Sequence, residues 1–302
     1  MSSPASTVVR FEPSAVIELL KPITWFPPMW ALACGVVSSG FDGSGQRWPL
    51  VVIGILLAGP LVCGTSQAVN DWFDRDVDAI NEPTRPIPSG RIPHRLGLTI
   101  AVVWTLLSLI VSTFLGIWGF LAACVGLSLA WAYSAPPIRL KRNGWLGNAA
   151  CGACYEGLPW FTGALVMSKS LPDAKILFLA AFYSLGAHGI MTLNDFKAIE
   201  GDQKLGIRSL PVQLGPDKAA TLACLFMALS QFVVVLLLSS WGHPLAAGLV
   251  GAILVGQIIL MKILLKDPRA YAPWYNATGI TLYVTGMMLS AFAIRPDVGG
   301  LS

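Results

Sequence analysis

The stretch Leu56-Leu57-Ala58-Gly59-Pro60-Leu61-Val62-Cys63-Gly64-Thr65-Ser66-Gln67-Ala68-Val69 runs straight into Asn70-Asp71-Trp72-Phe73-Asp74-Arg75-Asp76-Val77-Asp78, an apolar segment ending in a cluster of acids. A second copy, Asn194-Asp195-Phe196-Lys197-Ala198-Ile199-Glu200-Gly201-Asp202, closes another apolar run 124 positions on. At about 100° per residue, Asp71, Asp74 and Asp78 share one helix face, as do Asp195 and Asp202. Asp76 and Glu200 point elsewhere. Acids crowded at two helix ends repel one another unless cations bridge them. Hard oxygen donors suit Mg²⁺, which typically shares its site with phosphate oxygens. The pattern predicts a site that holds a diphosphate through Mg²⁺.

Of 302 residues, 55% are hydrophobic and 12% charged, which places the chain among polytopic membrane proteins and leaves no basic surface for a nucleic acid. Residues 1–13 are polar and lead into no short apolar region with a cleavage site, so they read as a cytosolic tail. About 20 apolar residues span a bilayer core. Counting such segments predicts an all-α, single-domain chain with nine transmembrane helices, at 22–41, 49–70, 96–115, 117–134, 146–168, 174–194, 217–240, 243–264 and 273–293. The acidic motifs then end the second and sixth helices, which run the same way. That implies an internal repeat around 49–134 and 174–264, two four-helix units plus a ninth helix about one cavity. With a cytoplasmic N-terminus, 16 of the 20 Lys and Arg fall on the cytoplasmic side, as the positive-inside rule requires, and both motifs face the cytoplasm. Pro27-Pro28, Pro86, Pro88 and Pro136-Pro137 mark chain breaks at that interface, expected rims of a pocket.

Six cysteines lie in or beside apolar runs, where Cys acts as a small hydrophobe. Cys151-Gly152-Ala153-Cys154 has the spacing of a metal or redox motif, but no second pair or neighbouring His completes it.

An allylic diphosphate ionises once metal ions neutralise the charge growing on its bridging oxygen. Carboxylates hold the metals, and cations hold the phosphates. The candidate cations are Lys21, Arg75, Arg85, Lys141, Arg142, Lys197 and Arg208. Arg85 and Arg208 stand out, because Arg85-Pro86-Ile87-Pro88 follows the first motif and Arg208-Ser209-Leu210-Pro211 the second. Aromatic faces that could stabilise an allylic cation, or simply anchor the chain at the interface, are Trp25, Trp30, Trp72, Phe73, Trp131, Tyr133 and Phe196.

Asn70-Asp71-x-x-Asp74-x-x-x-Asp78, followed by Asn81-Glu82-Pro83-Thr84-Arg85-Pro86-Ile87-Pro88-Ser89-Gly90, resembles the signature of the UbiA superfamily of intramembrane prenyltransferases, over nearly the whole chain. Lys21-Pro22-Ile23-Thr24-Trp25-Phe26-Pro27-Pro28-Met29-Trp30 looks like the first helix of its chlorophyll and bacteriochlorophyll synthase branch. Tyr155-Glu156-Gly157-Leu158-Pro159-Trp160, residues Gly186 to Lys197, and Pro273-Trp274-Tyr275-Asn276 look closest to the bacteriochlorophyll side.

The resemblance implies that Asn70, Asp71, Asp74, Asp195 and Asp202 bind Mg²⁺ and diphosphate, with Asp78 and Asn194 beside them. Asp71, Asp74, Asp195 and Asp202 are then the catalytic carboxylates. Many members carry an Asp where this chain has Ala198, so its second motif should coordinate metal with fewer carboxylates. The implied substrates are bacteriochlorophyllide a, attacking through its propionate, and geranylgeranyl or phytyl diphosphate, in the last step of bacteriochlorophyll biosynthesis. A photosynthetic inner membrane is the implied location, with membrane lipid and other pigment-biosynthesis or assembly proteins as neighbours. Chlorophyllide a is the alternative acceptor.

A propionate is ionised near neutral pH and needs no protein base. His188, two turns deeper than Asp195 on the same face, either ligates the central Mg of the tetrapyrrole or is hydrogen-bonded within the bundle. Glu156 should face the cavity or pair with a polar group. A transporter would also show repeats and intramembrane acids, but here the acids gather at one membrane face beside Pro-flanked arginines. A phospholipid-headgroup transferase would need an Asp-Gly-x-x-Ala-Arg signature, which the chain lacks.

Overall fold

The computed structural model describes residues 12–40, 47–168 and 170–296. Most of the expected cytosolic tail, residues 1–11, lies outside the described residues. Among those described, the regular elements are all helical. A short helix α1 (Pro13–Leu20) precedes the longer α2 (Phe26–Ser38), α3 (Trp48–Ile80), α4 (His94–Ser112), α5 (Gly116–Ser134), α6 (144–168), α7 (Ala174–Lys204), α8 (Pro216–Ser240), α9 (Pro244–Leu264) and α10 (Pro268–Ala293). Proline in the first turn starts α2, α8, α9 and α10, where the missing N–H costs nothing. The side chains of Asn143 and Asp173 cap α6 and α7.

Five stretches are long and apolar enough to cross a bilayer: Trp48–Ile80, His94–Ser134, Ala174–Lys204, Pro216–Ser240 and Pro244–Leu264. The chain is therefore a multi-pass membrane protein. Length and apolarity establish these five stretches, not the nine spans expected, for physical reasons. His94–Ser134 contains two expected spans, separated at Gly116 with φ +78°. Helix α2 has only 13 residues. Helices α6 and α10 pack against α2 and α7 and carry polar residues such as Asn148, Glu156 and Asn276, so they are less apolar than lipid-facing helices.

Helices α2 and α6 approach at backbone distance. A Cβ on Gly35 would overlap the Trp160 carbonyl, and one on Gly163 would overlap the Leu32 carbonyl. Gly163→Ala should therefore destabilise the protein by about 1–3 kcal/mol, the usual cost of overpacking. Thermal unfolding in detergent checks this, and an unchanged midpoint would show that the pair separates freely.

Contacts fix the two ends of the bundle. At one end Arg47, before α3, donates to the Val166 carbonyl at 2.9 Å and to that of Met167 at the close of α6. Lys175, opening α7, lies over the Trp241 ring beyond α8. At the other end the closing turns of α3 and α7 meet the segment between α5 and α6. Two π-helical turns interrupt the regular ladder, Leu57–Cys63 in α3 and Ala153–Gly157 in α6. The first contains Pro60, which cannot donate to the ladder.

Candidate active site

The face of α3 formed by Asn70, Asp74, Val77 and Asp78 lines a cavity of about 800 Å³. Asp71 sits one residue around that face and is 1% exposed, with Lys21 Nζ at 2.6 Å and Arg85 Nη1 at 3.4 Å. Arg85 stands on the turn after α3, pinned by the buried Ile87 and Ile92. It also donates to Asp78 at 2.8 Å and grips both oxygens of Glu82 at 2.7 and 2.8 Å, which holds the Glu82 carboxyl below its usual range. Asp74 receives Lys141, Arg139 at 3.1 Å and the Asn70 amide at 3.2 Å, while Asn70 also donates to Ser134 at 3.1 Å. Burial pushes the Lys141 ammonium down, against the pull of Asp74.

The second motif faces the first across the cavity. Asp195, Ala198, Glu200 and Asp202 all line it. Glu200 was expected to point away. The chain tightens into a 3₁₀ turn over Asp195–Ala198, which advances each residue by about 120° rather than 100° and shifts the phase of the residues beyond it. Asp195 accepts from Asn148 at 3.4 Å, and Asn194 accepts from Asn276 at 2.7 Å. Among the described residues, the ion pairs of the site all fall on the first motif and its flanking turn. The rim between the motifs is tied by main chain, with Gly144 N donating to Arg208 O at 2.8 Å and Arg208 N to Arg142 O at 3.0 Å.

Of the cations named from the sequence, Arg85, Lys141, Arg142 and Lys197 line the cavity. Lys21 and Arg208 are not among its lining residues. Lys21 lies behind Asp71, and Arg208 contributes its main chain to the rim.

Beneath the polar cavity lies an apolar chamber of about 320 Å³ that shares Asn70, Tyr133, Asn194 and Lys197 with it and has Pro28 in its wall. A slot of about 40 Å³ continues from it past Ala58, Val62, Gly126 and Cys154. Of the expected pocket aromatics, Tyr133 lines both cavity and chamber, but Trp25, Trp30 and Trp131 line neither. Their indole N–H groups are spent on Leu20 O, Val284 O and Thr105 Oγ1 at 2.8, 2.9 and 3.1 Å, so they fasten elements together. His188 Nε2 lies 3.2 Å from Trp145 O, with its ring stacked on Phe226, and lines neither space. Glu156 is 3% exposed, and its Oε2 has no partner among the described residues. Sequence reasoning missed Arg139, Asn148, Gln67 and Tyr155. Asn148 was visible as a lone polar group in an apolar run; Arg139 was not, because its partner is 65 positions away.

The model of the UbiA prenyltransferase family matches residues 24–291. The chain belongs to that family. Among its relatives, the bacteriochlorophyll synthase 33 kDa chain of Cereibacter sphaeroides is 60% identical, over 94% of each chain. The chloroplastic chlorophyll synthase of Oryza sativa subsp. japonica is 38% identical, over 92% of this chain and 76% of the relative. The structure of a UbiA homolog from Archaeoglobus fulgidus bound to DMAPP and Mg²⁺ superimposes with a TM-score of 0.72 at 19% identity, over 92% of this chain and 98% of that one.

In this UbiA prenyltransferase the donors of the two motifs are carboxylate and amide oxygens, and Asp71 Oδ2 is buried without a hydrogen-bond partner. That donor set fits a hard divalent cation. Among the described residues no three acids converge on one point. A metal here would draw its remaining ligands from outside the protein, as Mg²⁺ commonly does with phosphate oxygens.

Proposed function

We propose that this chain esterifies the propionate of bacteriochlorophyllide a with geranylgeranyl or phytyl diphosphate, releasing diphosphate. The carrying observation is the arrangement of two acid-bearing helix ends across a cation-lined cavity that opens onto an apolar chamber. Identity of 60% to a bacteriochlorophyll synthase chain over almost the full length supports the choice of acceptor. Chlorophyllide a is the second reading, supported by the 38% identity to chlorophyll synthase.

Asn70, Asp74 and Asp78 on one side, and Asn194, Asp195 and Asp202 on the other, would hold Mg²⁺, with Asp71 behind them. When bound, Mg²⁺ supplies neutralisation of the leaving diphosphate. Arg85, Arg139, Lys141, Arg142 and Lys197 hold the phosphate oxygens and keep that charge compensated as the allylic C–O bond breaks. The chamber takes the prenyl tail and excludes water. The acceptor carboxylate attacks the allylic carbon already ionised, so the protein positions it and removes no proton. Residues 49–134 and 174–264 are read as two copies of one unit, each contributing one motif. The excess of Lys and Arg at the site end supports a cytoplasmic site on the inner membrane.

The test is purified protein with Mg²⁺, geranylgeranyl diphosphate and either pigment, scored for ester and diphosphate. Ester should form at least about tenfold faster from bacteriochlorophyllide a, and chelation should stop it reversibly. Preference for chlorophyllide a would favour the second reading, and no ester from either pigment would sink both.

A further inference from the structure

The two π-helical turns come together at the chamber wall. Cys63 closes the turn in α3, and Tyr155 sits inside the turn in α6. Their side chains meet, with Cys63 Sγ 3.7 Å from the Tyr155 hydroxyl, and Gln67 Nε2, one helical turn beyond Cys63, donates to that hydroxyl at 3.2 Å. Cys63, Gln67 and Tyr155 all line the chamber. A π turn inserts an extra residue and rotates the chain beyond it, a distortion kept mostly where it aims a side chain at a functional site. Here two such turns aim at one point.

The chemistry of that point is specific. Gln67 and, more weakly, the Cys63 thiol both donate to the Tyr155 oxygen, so the phenolic hydrogen is left to donate to something else. Around that point the chamber wall includes Ala58, Val62, Leu129 and Ala130, while Asn70, Tyr133, Asn194 and Lys197 stand where it joins the polar cavity. A carboxylate brought into such surroundings is costly unless donors meet it. The reaction proposed above brings an ionised carboxylate to the allylic carbon, where the chamber that takes the tail meets the diphosphate cavity at Asn70, and Gln67 lies one helical turn from Asn70 on the chamber wall.

We propose that Tyr155 donates its hydroxyl to the acceptor's carboxylate, making the meeting point of the two π turns the acceptor-carboxylate subsite, with Gln67 as the positioning residue that orients the phenol. This rests on the prenyltransferase reading. A neutral phenol suits the task, since it holds the carboxylate without protonating it and leaves it nucleophilic.

The experiment measures binding of bacteriochlorophyllide a and of its methyl ester, by the change in pigment fluorescence, to wild type, Tyr155→Phe, Gln67→Leu and the double variant. Wild type should bind the acid more tightly than the ester. Tyr155→Phe should weaken acid binding about tenfold or more and leave the ester unchanged, the loss expected for one hydrogen bond to a charged group. Gln67→Leu should weaken the acid severalfold and add nothing in the Tyr155→Phe background. Equal weakening of acid and ester, no weakening, additive losses, or a loss confined to prenyl diphosphate binding would each overturn the subsite. Failure of wild type to bind either pigment would instead strike the proposed function itself.

Discussion

Asp74→Asn should lower turnover about a thousandfold while leaving the protein folded in detergent. The substitution keeps shape and one acceptor oxygen, so Lys141 and Arg139 retain a partner. It removes the negative charge that would help hold a divalent cation against the leaving diphosphate, and loss of one well-placed electrostatic group commonly costs 10²–10³ in rate. Single-turnover ester formation at saturating donor checks it. If more than a tenth of the rate survives, Asp74 is not a metal ligand and its role is confined to holding Lys141.

Asp71→Ala has the largest expected effect on stability. Asp71 is buried and serves both Lys21 and Arg85, so removing it strands the partly buried Lys21, while Arg85 keeps Asp78 and Glu82; a broken buried pair costs about 3–5 kcal/mol, and here about 3 because Lys21 keeps some contact with solvent. Turnover should fall as well, since Lys21 and Arg85 would no longer be balanced by a carboxylate behind the first motif. Asp71→Asn should recover much of the stability by returning an acceptor to Lys21. Unfolding in detergent gives the comparison. Equal midpoints for Asp71→Ala and wild type would mean that the pair contributes nothing to the fold.

What the sequence disclosed came from periodicity. The face bearing Asp74 and Asp78 was legible because α3 is regular from Gly64 onward, and a regular helix keeps its phase. Glu200 was misread because the 3₁₀ turn at Asp195–Ala198 breaks that phase, and no residue there announces it. Ala198 does line the cavity where many relatives are expected to carry an acid. Yet Glu200 lines the cavity with Asp195 and Asp202, and the described ion pairs of the site fall on the first motif and its flanking turn, a balance that spacing alone could not show. Trp25, Trp30 and Trp131 illustrate the converse error. Their depth along the chain was right, but depth does not tell which way a ring turns, and each indole N–H was claimed by a carbonyl or hydroxyl distant in sequence or on a neighbouring turn.

The main-chain tie between Arg142–Gly144 and Arg208 turns the rim into a stitched collar. Lys141 and Arg142 stand on one side of that seam, so they cannot swing out with an opening flap as cations on a free loop would. If they meet the departing diphosphate as proposed, their positive charge is in place before the bond breaks, and little reorganisation is needed when it does. The corollary concerns the exit: under the proposed function, a rim tied in this way would release its multiply charged product through the mouth it already has, so release rather than bond cleavage is expected to limit each cycle.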